Sequence, residues 1–174
     1  MNKMILSLAV IMGLLCLTSS VFAAGDANAD ASAKIQKAIA VVKDTGAVNG
    51  GDLAFGVIVP GTATVVTVGT NNARTKDTGT ATLLGTSFGA ASFNVTGSPD
   101  ATYTVTKPVA AITITNGTET MSVDGWTCTA SGTQTLSSDN TGLGSFKIGG
   151  DLHVGAAQAV GQYTGIFTVT VAYN

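Results

Sequence analysis

The chain is 174 residues long, with 10% charged and 6% aromatic residues, a single histidine and a formal net charge of −2. Eight basic side chains against ten acidic ones leave no cationic excess to hold a phosphate backbone, which sets nucleic-acid binding aside. Glycine (22) and threonine (27) are abundant instead. β-Branched threonine packs well on a pleated surface and glycine supplies left-handed turns, so the composition predicts an all-β chain of short strands.

In chain order, the first segment is an address. Lys3 gives a positive start, residues 5–17 are apolar apart from Ser7 and Gly13, and Val21 and Ala23 occupy the small positions of a cleavage site. Residues 1–23 therefore read as a secretory signal peptide. The apolar run is shorter than the roughly 20 residues a spanning helix needs. Cys16 follows Leu14-Leu15 and so lacks the setting of a lipidation site. No later stretch approaches transmembrane length, so no membrane span is expected after cleavage. Cleavage leaves Cys128 as the only cysteine, which forbids an intrachain disulfide and leaves stability to the core. The expected organisation is a signal peptide (1–23), an N-terminal extension (24–45) and a β-sandwich domain (46–174).

Residues 24–44 begin small and polar and then turn ambiguous. Ile35, Ala38, Ile39 and Val42 form a helical stripe at i, i+3, i+4 and i+7, whereas Ile35, Ile39 and Val41 also share one face of a strand, with Lys37 breaking the alternation. Local sequence favours the helix. From Leu53 onward the apolar pattern has period two, with strands expected at residues 53–59 and 62–68. Residues 69–89 read as a surface loop with one weak strand. A meander of four strands follows from Phe93 to Val123, with a turn cluster at Gly97-Ser98-Pro99-Asp100 and a two-residue hairpin turn at Asn116-Gly117. Two short strands are expected at 145–148 and 152–154. The last strand has Tyr163, Gly165, Phe167, Val169, Val171 and Tyr173 on one face, and Thr164, Ile166, Thr168, Thr170, Ala172 and Asn174 on the other. Such one-sided strands at this spacing predict a β-sandwich rather than a barrel or a βαβ fold.

The residues that carry chemistry are scarce. His153 lies between Leu152 and Val154 and is expected as a solvated surface imidazole. One histidine and one cysteine make no zinc site at standard spacing and no nucleophile–base arrangement. Asp52, Asp100, Asp124, Asp139 and Asp151 stand beside turn residues and read as turn carboxylates. Asp139-Asn140-Thr141-Gly142 lacks the spacing and closing glutamate of an EF-hand. Gly149-Gly150 precedes no helix and makes no phosphate loop. No catalytic residue, metal or cofactor is expected, and the chain does not read as an enzyme.

The C-terminus brings in a resemblance. Gly161 is fourteenth from the end and Tyr173 penultimate, with alternating apolar residues between them, a pattern similar to that of chaperone–usher pilus subunits. The segments Gly51-Asp52-Leu53-Ala54-Phe55-Gly56, Phe93-Asn94-Val95-Thr96-Gly97-Ser98-Pro99, Ala101-Thr102-Tyr103-Thr104-Val105, Thr120-Met121-Ser122-Val123 and Gly149-Gly150-Asp151-Leu152-His153-Val154-Gly155, with the ending from Gly161 to Val171, resemble a bacterial family known as domain of unknown function 4402. Leu53-x-Phe55-Gly56 and the ending also look like archaic pilus subunits.

That resemblance implies an immunoglobulin-like, pilin-like sandwich lacking its last strand. A periplasmic chaperone, and then the extension of the next subunit, would fill the gap by strand addition. Gly161, Tyr163, Phe167, Val169, Val171 and Tyr173 would then contact chaperone or subunit. Ala31, Ala33, Ile35, Ile39 and Val41 would be the donor residues. Lys37 and the absent disulfide depart from the pilin pattern. The implied partners are further copies or related subunits, a chaperone and an outer-membrane usher, and the implied place is the cell surface after transit through the periplasm. The alternative expectation is a self-contained exported monomer, closed in cis by residues 24–45, that binds a ligand such as a surface glycan, with Trp126 and Tyr163 as its aromatic candidates.

Overall fold

The computed structural model describes residues 25–174; the expected signal peptide, with Cys16, lies outside the described residues. Residues 25–34 carry no helix or strand and are exposed, and residues 35–174 form a separate compact unit. That unit holds twelve strands: β1 (Ala40–Lys43), β2 (Val57–Val59), β3 (Thr64–Val68), β4 (Arg74–Lys76), β5 (Thr82–Leu84), β6 (Ala91–Thr96), β7 (Thr102–Thr106), β8 (Ile112–Thr115), β9 (Thr120–Cys128), β10 (Thr133–Thr135), β11 (Leu143–Val154) and β12 (Thr170–Tyr173). All pairing is antiparallel, and the architecture is an all-β sandwich.

β11 is the spine of a seven-stranded sheet. One edge pairs first with β6 (Phe146↔Phe93) and then with β3 (Leu152↔Val66), while the other edge pairs with β9 (Ile148↔Cys128, Asp151↔Asp124). Two separate strands, 145–148 and 152–154, were expected here, with Gly149-Gly150 between them. Both glycines are instead buried inside one continuous strand. A Cβ at Gly149 would run into the Val68 carbonyl and the Thr127 hydroxyl, so glycine is needed for close approach of neighbouring backbone rather than for a turn. Asp124 and Asp151, expected in turns, accordingly sit in mid-strand. Asp151 accepts a hydrogen bond from Thr67 Oγ1 at 2.6 Å.

The β9 side of this pairing carries an extra residue. From Asp124 to Thr127 is three steps, against two from Gly149 to Asp151. Gly125, at φ 57°, takes the left-handed position of the bulge, and Asp151 lies against it. Strict alternation from inward Val123 would turn Trp126 to solvent; the extra residue restores it to the interior, where it is 6% exposed.

A three-stranded sheet, β10-β7-β12, forms the second layer. Its Tyr103 and Leu136, from the loop after β10, pack with Val95 and Phe146 of the large sheet, all four at most 2% exposed. β2 and β5 make a separate ribbon within residues 53–89, so the expected loop at 69–89 holds two strands, β4 and β5. Arg74 on β4 ties this ribbon down. Its guanidinium donates to the carbonyls of Phe55 (2.8 Å), Leu84 (3.1 Å) and Gly85 (3.3 Å) and lies 4.2 Å from the Phe88 ring centroid.

Three further local expectations change. The helix favoured over residues 35–42 is absent: β1 is extended and pairs with β6 (Val41↔Val95), because the open edge of β6 offers a full ladder that outweighs weak helical propensity. The β8–β9 connection spans four residues, 116–119, with Asn116 Oδ1 accepting from the amides of Thr118 (2.9 Å) and Glu119 (2.8 Å). The long C-terminal strand is broken into two attachments. Thr164 bridges Thr115 on β8, β12 pairs with β7, and residues 165–169 between them belong to no strand. The segment leaves the edge of one sheet for the edge of the other, so no single partner can follow it.

Candidate functional site: an open apolar groove

The small sheet covers only part of the large one. Beyond it, the inward residues of β8 (Ile112, Ile114), of β9 (Met121, Val123, Trp126) and of the end of β11 (Leu152, Val154) floor a groove of about 730 Å³. One wall is the chain from Asp52 to Ile58; the other is residues 158–167. Ile112, Ile114 and Met121 are only half-buried, whereas Val123, Leu152 and Val154 beneath them are at most 5% exposed. The period-two pattern points apolar side chains inward, and here no complete strand lies above them.

Each wall is built for close contact. A Cβ at Gly165 would come 2.7 Å from both Ile114 Cγ2 and the Thr113 carbonyl, so glycine lets the C-terminal segment lie directly on β8. Phe167 reaches in from this wall, its ring centroid 5.0 Å from that of Trp126 and 6.3 Å, edge-on, from that of Phe93. The Trp126 indole donates to the Ala110 carbonyl at 3.0 Å. Tyr163 holds the preceding turn: its hydroxyl donates to the Ala159 carbonyl (2.9 Å) and accepts from Gln158 Nε2 (2.8 Å). Gly161, at φ 151°, sits exposed beside Asn116. Residues 165–169 make no backbone hydrogen bond within the described chain.

The structure brings Gly161, Tyr163 and Phe167 together on one wall. Val169 and Val171 are half-buried against the core, further along the same segment. Tyr173 points elsewhere: its hydroxyl donates to the Lys37 carbonyl and accepts from the Ser98 amide, both at 2.7 Å. Of the candidate donor residues, Ala31 and Ala33 are exposed and Ile35 is 92% exposed, whereas Ile39 and Val41 pack against the core of their own chain. The floor residues Ile112, Ile114 and Met121 were legible as strand residues but not as site residues, since alternation shows which face is inward and not whether anything covers it.

The family model described as Domain of unknown function (DUF4402) matches residues 42–173. The chain belongs to this family. No curated protein and no solved structure matches it. The DUF4402 match begins inside β1 and runs through β12, so it contains both walls and the floor of the groove and leaves residues 25–41 outside.

The lining of this DUF4402 groove is almost free of charge; Asp52, at its rim, is paired with Lys43 at 2.7 Å. His153, Asp139 and Cys128 lie outside the groove lining. His153 lies on the outer face of β11, 2.7 Å from Asp124, with both side chains over 40% exposed. Hydrogen bonds from Ser137 and Thr141 hold the Asp139 carboxyl below the usual carboxylate range, closing the turn before β11. Burial pushes the Cys128 thiol up. Trp126 is a floor residue under Phe167 and not a solvent-facing platform for a sugar.

Proposed function

We propose that this protein is a structural subunit of a cell-surface fibre, exported by residues 1–23 and joined to its neighbours by strand donation. The open groove carries the reading, because its C-terminal wall has an unpaired backbone at residues 165–169 above an apolar floor. A small ligand needs apolar contact and a few polar groups. An added β-strand needs those and also a free row of amides and carbonyls, which this wall offers. The occupant is the N-terminal arm of a second copy, whose alternate residues Ala31, Ala33 and Ile35 face the floor. Ile39 and Val41 stay in their own fold. Ile35 supplies most of the burial, worth about 1.5–3 kcal/mol if complete, and backbone pairing supplies the rest. In this reading a periplasmic chaperone and an outer-membrane usher serve the same groove during export.

The test uses residues 24–174, alone and with a copy of residues 24–38 fused after Asn174 through a flexible Gly/Ser linker. The unfused chain should form larger species as its concentration rises. The fused chain should stay monomeric in sedimentation and melt at a higher temperature. If the unfused chain is a cooperative monomer at every concentration and the fused arm leaves the melting temperature unchanged, strand donation is wrong. A concentration-independent monomer destabilised by deletion of residues 24–36 would favour closure in cis.

A further inference from the structure

Lys37 lies three residues before β1, outside any strand, yet both of its backbone polar groups have partners on the body. Its amide donates to Ser98 Oγ and its carbonyl accepts from the Tyr173 hydroxyl, each at 2.7 Å. The same hydroxyl accepts from the Ser98 amide at 2.7 Å, so one tyrosine oxygen and one serine close a three-bond ring around a single residue. Room for it comes from Gly97. A Cβ there would collide with the Tyr173 hydroxyl and come 2.6 Å from Leu136 Cδ1. Tyr173 itself is anchored through β12, which pairs it with Tyr103 of β7. The ring therefore joins the last strand, the β6–β7 turn and the lead-in to the first strand.

We infer that Tyr173, Ser98 and Lys37 form a clasp that fixes where the N-terminal arm leaves the body. Without it, departure would be expected at the end of the β1 ladder, near Ala40. With it, residues 37–39 are held, Ile39 stays against the core, and the free arm ends at residue 36. Ile35, 92% exposed, is then the last large apolar side chain of the arm. The consequence for assembly rests on the strand-donation reading, since the clasp would set which residues can be offered to a second copy. The clasp itself does not depend on that reading. Tyr173 acts here as a positioning residue.

Trypsin can read the clasp directly, because Lys34 and Lys37 stand on either side of the departure point. In folded residues 24–174, cleavage after Lys37 should be at least about tenfold slower, relative to cleavage after Lys34, than the same ratio in a free peptide of residues 31–43. Tyr173→Phe keeps the ring and removes only the hydroxyl; Ser98→Ala removes the acceptor of the Lys37 amide. Each loses hydrogen bonds worth about 0.5–1.5 kcal/mol apiece, or roughly two- to tenfold in opening, and should raise cleavage after Lys37 by that factor. Thr168→Ala, on the exposed face, should leave the ratio unchanged. Amide exchange at Lys37 in the wild-type chain gives a second reading that needs no variant, with slow exchange expected there. A peptide-like ratio in the wild-type chain, fast exchange at Lys37, or an unchanged ratio in both clasp variants would each overturn the clasp. Failure to assemble would count against strand donation and leave these readings unaffected.

Discussion

The two ends of the large sheet share one spine strand and differ in what covers them. At the end covered by β7, β10 and β12, Phe146 and Val95 of the large sheet and Tyr103 and Leu136 of the covering layer are sealed to 2% exposure or less. At the other end, Ile112, Ile114 and Met121 keep part of their surface open to a groove of about 730 Å³. Both ends follow the same period-two rule, so alternation alone cannot account for the difference. What differs is the second layer: a hydrogen-bonded sheet over the closed end, and over the open end a ribbon on one side and an unpaired segment on the other. A half-covered apolar floor beside an unpaired backbone is a liability in an isolated chain and becomes an asset when a strand is added.

Substitutions on the two floors should break or sharpen that contrast. Phe146→Ala at the closed end empties a filled interior and should cost about 3–5 kcal/mol in urea unfolding. A loss near 1 kcal/mol would mean that the closed end is not packed as described. Gly125→Ala, between the two ends, forces a side chain into the left-handed region and against Asp151. About 1–2 kcal/mol should be lost, with a changed near-ultraviolet circular dichroism signal from Trp126 as the bulge shifts. Ile114→Ala at the open end should cost only about 1 kcal/mol in the unfused chain, because the residue is already half-solvated. In the arm-fused chain the same substitution should cost more; equal losses in both would show that the arm does not reach the β8 floor.

The smallest effect concerns pH. Asp139 is held below the usual carboxylate range, first by Ser137 and then by Thr141. A depressed folded value means the contribution is present above the unfolded value, near about pH 4, and is lost as pH falls through the folded one. Asp139→Asn should flatten the stability profile below about pH 4 and leave the thermal melt at pH 7 only slightly changed. A profile identical to wild type would remove Asp139 from acid sensitivity.

Where the sequence was legible, one face of a strand had to be apolar whatever lay opposite. Residues 93–95, 101–105 and 121–123 show this, and so do the half-buried Phe167, Val169, Val171 and Tyr173 alternating with exposed Ile166, Thr168, Thr170 and Ala172. It was misleading where a distant partner set the outcome. The stripe of Ile35, Ala38, Ile39 and Val42 looked helical, yet residues 40–43 became a strand because β6 had a free edge. The break expected between residues 148 and 152 is absent, because the neighbours crowding Gly149 and Gly150 come from β3 and β9. Asp124 and Asp151 looked like turn residues because glycines flank them, and one of those glycines proved to be a bulge. The groove was invisible for a related reason: an uncovered face and a covered one have the same alternation.

The abundance of threonine and glycine, the sparse charge and the period-two pattern determined by themselves that this is an all-β chain. That class depends on residue shape and polarity at neighbouring positions, which the sequence states directly. Only the tertiary structure decided that the C-terminal segment leaves one sheet for the other, that its backbone between them stays unpaired, and that Tyr173 closes on Lys37 across 136 positions of chain. Those contacts join residues that are remote in sequence, and their hydrogen bonds exist only once both sheets are in place.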